Sequence, residues 1–339
     1  MFGSLGVGCW EFEFVTALLQ QVRRTIRRHD LCPAGTRLLV ALSGGSDSVA
    51  LTLILRELAP TNGFVLAGLA HFNHHLRPTA DRDEQFCRAL AVRLELPIVV
   101  GGVDVREYAD AERIGIEEAA RRARYAFLHR SAADLKADRI AIGHTRDDQA
   151  ETFLLKLIRG AGLSGLGGIY PRRGVLIRPL IDVSRDDLRG YLKQHGENWV
   201  EDESNTDVSN PRNRIRHSVI PGLDAAYGSP TSGAIARAAG LVRDDGSWLD
   251  DQAAARYLEL AAHDGDAVVF PAAELSAEPG PIRRRLLLTA LRDVAGMREV
   301  ALEHVEAAAE ILKGSSSGAD LPGARVELHR GKLVLQRKR

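Results

Sequence analysis

The sequence predicts an α/β chain: a doubly wound parallel sheet joined to a second, smaller α+β C-terminal domain. Three observations carry that expectation. Short apolar runs alternate with segments of helical period between residues 37 and 196, a Gly/Ser loop sits directly between the first run and its helix, and beyond Pro221 the pattern changes to alanine-rich helices and two short strands. Strands alternating with helices imply parallel pairing, in which ligands lie beyond the carboxyl ends of the strands.

The elements follow in order. The N-terminal MFGSLGVGCW reads as a loose tail. LLVAL (38–42) is apolar and too short for a helix, so it reads as a buried strand; Val49, Leu51, Leu53, Ile54 and Leu55 then supply a helical face. FVLAGLAH (64–71) is a second strand, and the helix at 81–96 places Phe86, Leu90 and Leu94 on one side. PIVVGGVDV is a third strand, 116–137 a helix, RIAIG (139–143) a fourth strand, and 146–160 a helix ending at Gly160. Residues 160–174 are glycine-rich and read as a mobile loop, before the strand VLIRPL and the helix SRDDLRGYLKQHG. Further on, helices are expected at 233–262, 282–292 and 300–313, with the strands ARVELHR and KLVLQR joined at Gly331. A chain of 339 residues exceeds the roughly 250–300 at which one core stops growing, so two domains are expected, 1–222 and 223–339, the second opening with a helical linker.

The loop SGGSDS (43–48) is the first candidate site. Gly44 and Gly45 let the backbone approach an anion, while Ser43, Ser46, Ser48 and the following helix N-terminus offer donors to phosphate oxygens. Asp47 would repel phosphates unless a divalent cation such as Mg²⁺ lay between, so the loop reads as a metal-linked nucleotide site. No GxxxxGK[ST] string occurs, which excludes a Walker A loop.

Four further segments carry chemistry. HFNHHLR (71–77) ends the second strand, where His71 or its neighbours could frame a base. EEAARRARYAFL (117–128) sets Arg121 and Arg124 three apart beside Tyr125. GHTRDDQAET (143–152) sets Asp148 and Glu151 three apart on one helix face; beside phosphates they need a cationic partner, Mg²⁺ or a protonated amine, unless they serve only to compensate the helix N-terminus. ESNTDVSNPRNRIRHSVIP (203–221) is a turn-rich basic loop with Arg212, Arg214 and Arg216.

SGGSDS after a strand resembles the PP-loop of ATP pyrophosphatases, with their adenine nucleotide alpha hydrolase-like fold. With the four further segments the chain resembles, across most of its first half, the bacterial tRNA(Ile)-lysidine synthases. The resemblance implies an ATP- and Mg²⁺-dependent ligase. ATP would adenylate the oxygen on carbon 2 of the wobble cytidine in tRNA(Ile) with anticodon CAU, and the ε-amine of L-lysine would displace AMP. It implies that Asp47 holds Mg²⁺, that Arg124 and Arg216 contact phosphates, that Asp148 and Glu151 recognise lysine, and that the C-terminal domain reads the tRNA. The chain is similar to the shorter form of the family.

Bulk properties exclude other classes. Forty-five basic residues balance 45 acidic ones, so any nucleic-acid surface is local, with clusters near Arg121–Arg130, at Arg283–Arg285 and over the last fifteen residues. Cys9, Cys32 and Cys87 form no CxxC pair, which argues against a zinc ribbon, an iron–sulfur cluster or the paired-cysteine chemistry of tRNA thiolation, and for a reducing cytoplasm. No apolar run reaches the roughly 18 residues of a membrane span, and no glutaminase segment is visible. A homodimer is compatible with the sequence, which does not specify the assembly.

Overall fold

The computed structural model describes residues 7–73, 80–201, 209–228, 230–295 and 300–338, with side chains from residue 13 onward. The chain divides into two compact units, Met1–Leu241 and Val242–Arg339.

Unit 1 runs α1 (Val7–Arg28), β1 (Arg37–Ala41), α2 (Ser46–Asn62), β2 (Val65–Asn73), α3 (Ala80–Leu94), β3 (Ile98–Gly102), α4 (Val105–Glu112), α5 (Ile116–Asp134), β4 (Arg139–Ala141), α6 (Arg146–Ile158), α7 (Leu163–Leu166), β5 (Arg172–Arg173), β6 (Leu176–Ile177), α8 (Arg185–Gln194) and α9 (Pro211–Arg214). A π turn, Ile215–Val219, leads from α9 into α10 (Ile220–Tyr227). The sheet order is β3-β2-β1-β4-β6-β5, parallel except where β5 turns back against β6. The expected doubly wound sheet is therefore present, and its strand order reverses between β1 and β4.

Leu38, Leu39 and Val40 are wholly buried, as a central parallel strand covered on both faces requires. The helix α2 begins after Gly45 and stops at Gly63, whose φ of +74° is the left-handed conformation that ends helices. Between β1 and β2 the register slips at Leu38/Leu39, where Gly68 lies opposite Leu39. A Cβ on Gly68 would lie 2.7 Å from the Pro97 carbonyl oxygen, so only glycine fits there.

Three local expectations are corrected. Residues 7–10 belong to α1 rather than to a tail; the helix carries Leu18, Val22 and Ile26 into the core at helical spacing, and that packing makes it worth ordering. The glycine-rich loop is anchored, because the buried side chain of Gln149 donates to the Gly167 carbonyl (3.1 Å) and accepts from the Ile169 N–H (2.6 Å). The strand VLIRPL contributes only Leu176 and Ile177 to the ladder, since Arg178 turns away to other partners.

In unit 2, α11 (Thr231–Leu260) enters from the preceding unit and is followed by β7 (Ala262–Asp264), β8 (Ala267–Pro271), α12 (Ala272–Ala277), α13 (Gly280–Ala295), α14 (Leu302–Leu312), β9 (Gly318–Leu321), β10 (Ala324–His329) and β11 (Lys332–Arg337). The two strands expected at the end are β10 and β11, and they belong to a five-stranded antiparallel sheet, β7-β8-β11-β10-β9. Its core gathers Phe270, Leu286, Leu287, Val326, Leu333 and Leu335, all fully buried. This is the smaller α+β unit. The three added strands are only three to five residues long, which hides their period in the sequence.

Candidate active site

The loop after β1 is braced from within. Ser48 Oγ accepts from the Ser43 N–H and from Ser43 Oγ, both at 3.1 Å, and donates to the Gly45 carbonyl at 2.9 Å. Gly44 has φ +91°, and its carbonyl accepts from the Val200 N–H at 2.9 Å. Ser48 is thus committed to holding the loop, while Ser43, Ser46 and Asp47 line a cleft of about 520 Å³.

The cleft lies at the carboxyl ends of β1, β2 and β4, and His71, Asn73, Arg124, His144, Asp148 and Arg216 join its wall. His71, buried at the end of β2, donates from Nδ1 to the Leu42 carbonyl at 2.9 Å, which fixes the ring against the first strand. His74 and His75, named with it in the sequence, lie outside the described residues. Arg124 is exposed and sits 5.5 Å from the Tyr125 ring centre; among the described residues it forms no ion pair.

Asp148 divides its two oxygens between two tasks. Oδ2 accepts from the Thr145 N–H (2.8 Å) and hydroxyl (3.0 Å), while Thr145 Oγ1 accepts from the Asp148 N–H, closing a capping box that starts α6. Oδ1 instead accepts from Arg185 Nη2 at 2.5 Å and Arg212 Nη2 at 3.0 Å. Helix capping and cation binding, alternatives on residue types alone, are both performed by this one carboxylate.

Glu151, one turn on and 1% exposed, accepts from Arg185 Nη1 (2.7 Å), Arg212 Nε (2.8 Å) and Arg216 Nε (2.7 Å). Asp47 Oδ2 lies 3.4 Å from Arg185 Nε. Burial by itself would raise the Asp148 carboxyl; the guanidiniums of Arg185 and Arg212 outweigh it and hold the group well below the usual carboxylate range. Glu151 is lowered in the same way, against burial, by Arg216 and Arg185. Asp47 moves in the other direction, raised by burial and by the Asp148 charge against the opposing pull of Arg185 and of the Ser46 hydroxyl, which donates to it. Of these three carboxylates it has the fewest guanidinium neighbours among the described residues.

The structure therefore brings together Ser43, Gly45, Ser46, Asp47, Ser48, Arg124, Asp148 and Arg216 around one cleft, with Glu151 bonded to Arg216 behind it. Arg216, expected at a phosphate, is held by Glu151 and lies 3.7 Å from Asp148 Oδ1. The sequence reading missed Arg185 and left His144 and Arg212, both within its motifs, without a role. Arg185 starts a helix with no motif around it, and only the hydrogen bonding of the α8 N-terminus to that of α6 reveals it.

A PP-loop domain matches residues 16–223. The tRNA(Ile)-lysidine synthase of Geobacter sulfurreducens is 38% identical over 300 residues, covering 86% of this chain and 63% of that protein. That of Symbiobacterium thermophilum is 38% identical over 336 residues, covering 94% of this chain and 69% of that protein. This chain belongs to the tRNA(Ile)-lysidine synthase family. It spans from about half to about two thirds of the length of such lysidine synthases, 47% in the case of Thermus thermophilus. Among solved structures, the U34-tRNA thiolase NcsA from Methanococcus maripaludis superposes with a TM-score of 0.57 at 18% identity, covering 69% of this chain and 80% of that one, a likeness of fold. No helix among the described residues is long and apolar enough to cross a membrane.

Proposed function

We propose that the chain ligates L-lysine to carbon 2 of the wobble cytidine of tRNA(Ile) with anticodon CAU, using ATP and passing through an adenylated tRNA. The observation that carries this reading is the convergence of Asp148 and Glu151 with Asp47 of the phosphate-sized loop around a single guanidinium, that of Arg185. A nucleotide site next to a paired-carboxylate amine site suits a reaction that first activates an oxygen and then displaces it with an amine.

The loop residues Ser43, Gly44, Gly45 and Ser46 would take the pyrophosphate end of ATP on backbone and hydroxyl donors. Arg124, exposed at the cleft, would meet phosphate charge, as would Arg216 once drawn from Glu151. The cytidine O2 then attacks the α-phosphorus and pyrophosphate leaves. The lysine ε-amine attacks carbon 2, loses a proton, and AMP departs. Asp148 and Glu151 would hold the amino acid through its ammonium group, positioning it for attack.

Asp47 fits a Mg²⁺ ligand. It is a carboxylate short of positive partners, and no group of three or more His, Cys, Asp or Glu side chains among the described residues forms a metal cage. One carboxylate with phosphates and waters is the donor set this ion commonly takes, and bound there it would neutralise charge building on the pyrophosphate.

The C-terminal unit would read the tRNA body. Its basic clusters are partly spoken for, since Arg285 pairs with Asp250 (2.6 Å) and Arg325 with Glu327 (2.6 Å) and Asp320 (3.0 Å). Thiolation finds little support in the cysteines: Cys32 and Cys87 are buried, and burial pushes both thiols up to about 12.

Pyrophosphate release measured with ATP, Mg²⁺ and bulk tRNA, with lysine present or omitted, tests the reading. Turnover to AMP that requires both lysine and tRNA supports it. Turnover indifferent to lysine keeps the nucleotide chemistry and removes the amine substrate; no turnover removes the ligase.

A further inference from the structure

The cluster of Asp47, Asp148, Glu151, Arg185, Arg212 and Arg216 is charge-balanced, three carboxylates against three guanidiniums. Its members differ in reach. Arg212 and Arg216 come from α9 and the π turn and pair with Asp148 and Glu151. Arg185 spans both half-sites, turning Nη2 to Asp148 (2.5 Å), Nη1 to Glu151 (2.7 Å) and Nε to Asp47 (3.4 Å).

Its position is built rather than incidental. The Arg185 N–H donates to Asp147 Oδ2 at 2.8 Å, and the Arg146 N–H donates to the Val183 carbonyl at 2.8 Å, so the N-termini of α8 and α6 are stapled to each other. Ser184 caps α8 by accepting from the Asp187 N–H, at 3.1 Å. The Arg185 side chain is 17% exposed, against 38% for Arg212. A planar fork anchored in this way can bridge three carboxylates where a point charge cannot.

We propose that Arg185 is a positioning residue that couples nucleotide binding to amine binding. It occupies, in the free protein, the cationic place that the incoming ammonium takes. A triphosphate in the loop adds negative charge on the Asp47 side, drawing the guanidinium toward it and away from Asp148 and Glu151. The pair then accepts the ammonium of the amino acid. By linkage each ligand must tighten the other by the same factor. This inference rests on the lysine-ligase reading above.

The test is calorimetric titration of L-lysine into the full chain in Mg²⁺ buffer, with and without saturating α,β-methylene ATP. For the unaltered protein the nucleotide analogue should tighten lysine binding roughly tenfold, within the range usual for coupled sites. In Arg185→Gln, lysine should bind more tightly than in the unaltered protein when nucleotide is absent, because one cation fewer faces the same carboxylates, and the coupling factor should fall to about one. Arg185→Lys keeps the charge without the fork and should show an intermediate factor; it carries the test if Arg185→Gln does not melt as a folded protein. Lysine affinity indifferent to nucleotide in the unaltered protein overturns the inference, as does a coupling factor unchanged in the variants. Absence of lysine binding under every condition overturns the lysine reading itself, and the coupling with it.

Discussion

Arg178 Nε lies 3.1 Å from His144 Nδ1 and donates to it. An imidazole that accepts at Nδ1 carries its remaining proton on Nε2, so His144 is held as a neutral donor facing the cleft. Burial lowers its pKa to about 4, against the pull of Asp148, and the Arg178 and Arg212 charges add to the lowering.

A pH dependence follows with a definite sign. Between the ordinary value of 6.5 and about 4 the unfolded chain binds a proton at this position that the folded chain refuses. The contribution of His144 is thus complete above pH 6.5 and lost as pH falls toward 4, with a slope up to about 1.4 kcal/mol per pH unit. Melting temperatures from pH 4 to 7 should show this slope reduced in His144→Gln.

Gly143 sets the spacing between the nucleotide loop and the start of α6. A Cβ there would lie 3.1 Å from the Asp47 carbonyl oxygen and 3.3 Å from the Ser48 nitrogen. Gly143→Ala should push the loop by a few tenths of an ångström and raise the KM for ATP roughly tenfold, with a smaller effect on the KM for lysine. Steady-state pyrophosphate release over a matrix of the two substrates separates them.

Glu151→Gln removes the carboxylate on which Arg185, Arg212 and Arg216 converge. Because these guanidiniums keep some contact with solvent, the loss should be about 2 kcal/mol rather than the 3–5 typical of fully buried pairs. Urea unfolding would report that loss, and lysine-dependent turnover should fall about a hundredfold or more.

Cys32 and Cys87, with thiols raised by burial to about 12, should resist iodoacetamide at pH 8 in the folded protein and react once it is unfolded in urea. Mass spectrometry of the alkylated peptides reads both sites. Rapid labelling of Cys87 in the native protein would contradict its packing beneath the loop, where its sulfur would lie 3.4 Å from a Cβ on Gly44.

Much of the site was legible as local pattern. SGGSDS between an apolar run and a helical face announced a phosphate-sized loop, and the i, i+3 spacing placed Asp148 and Glu151 on one helical face. The helix α1 escaped because its register matters only once Leu18, Val22 and Ile26 have a core to enter. Arg185 escaped for a related reason: nothing around it distinguishes an exposed helical arginine from one turned inward. The strands β7 and β9, three and four residues long, are too short to show a period.

The sequence by itself determined the loop and the carboxylate pair, both set by residue type and short spacing. Only the tertiary structure decided how they are partnered. Glu151 meets Arg185, Arg212 and Arg216 across 34, 61 and 65 residues of chain. Burying carboxylates in a low-dielectric cleft is costly without cations beside them. The fold resolves that cost by bringing cations from remote segments, and which segments arrive is a property of helix packing that no local spacing encodes.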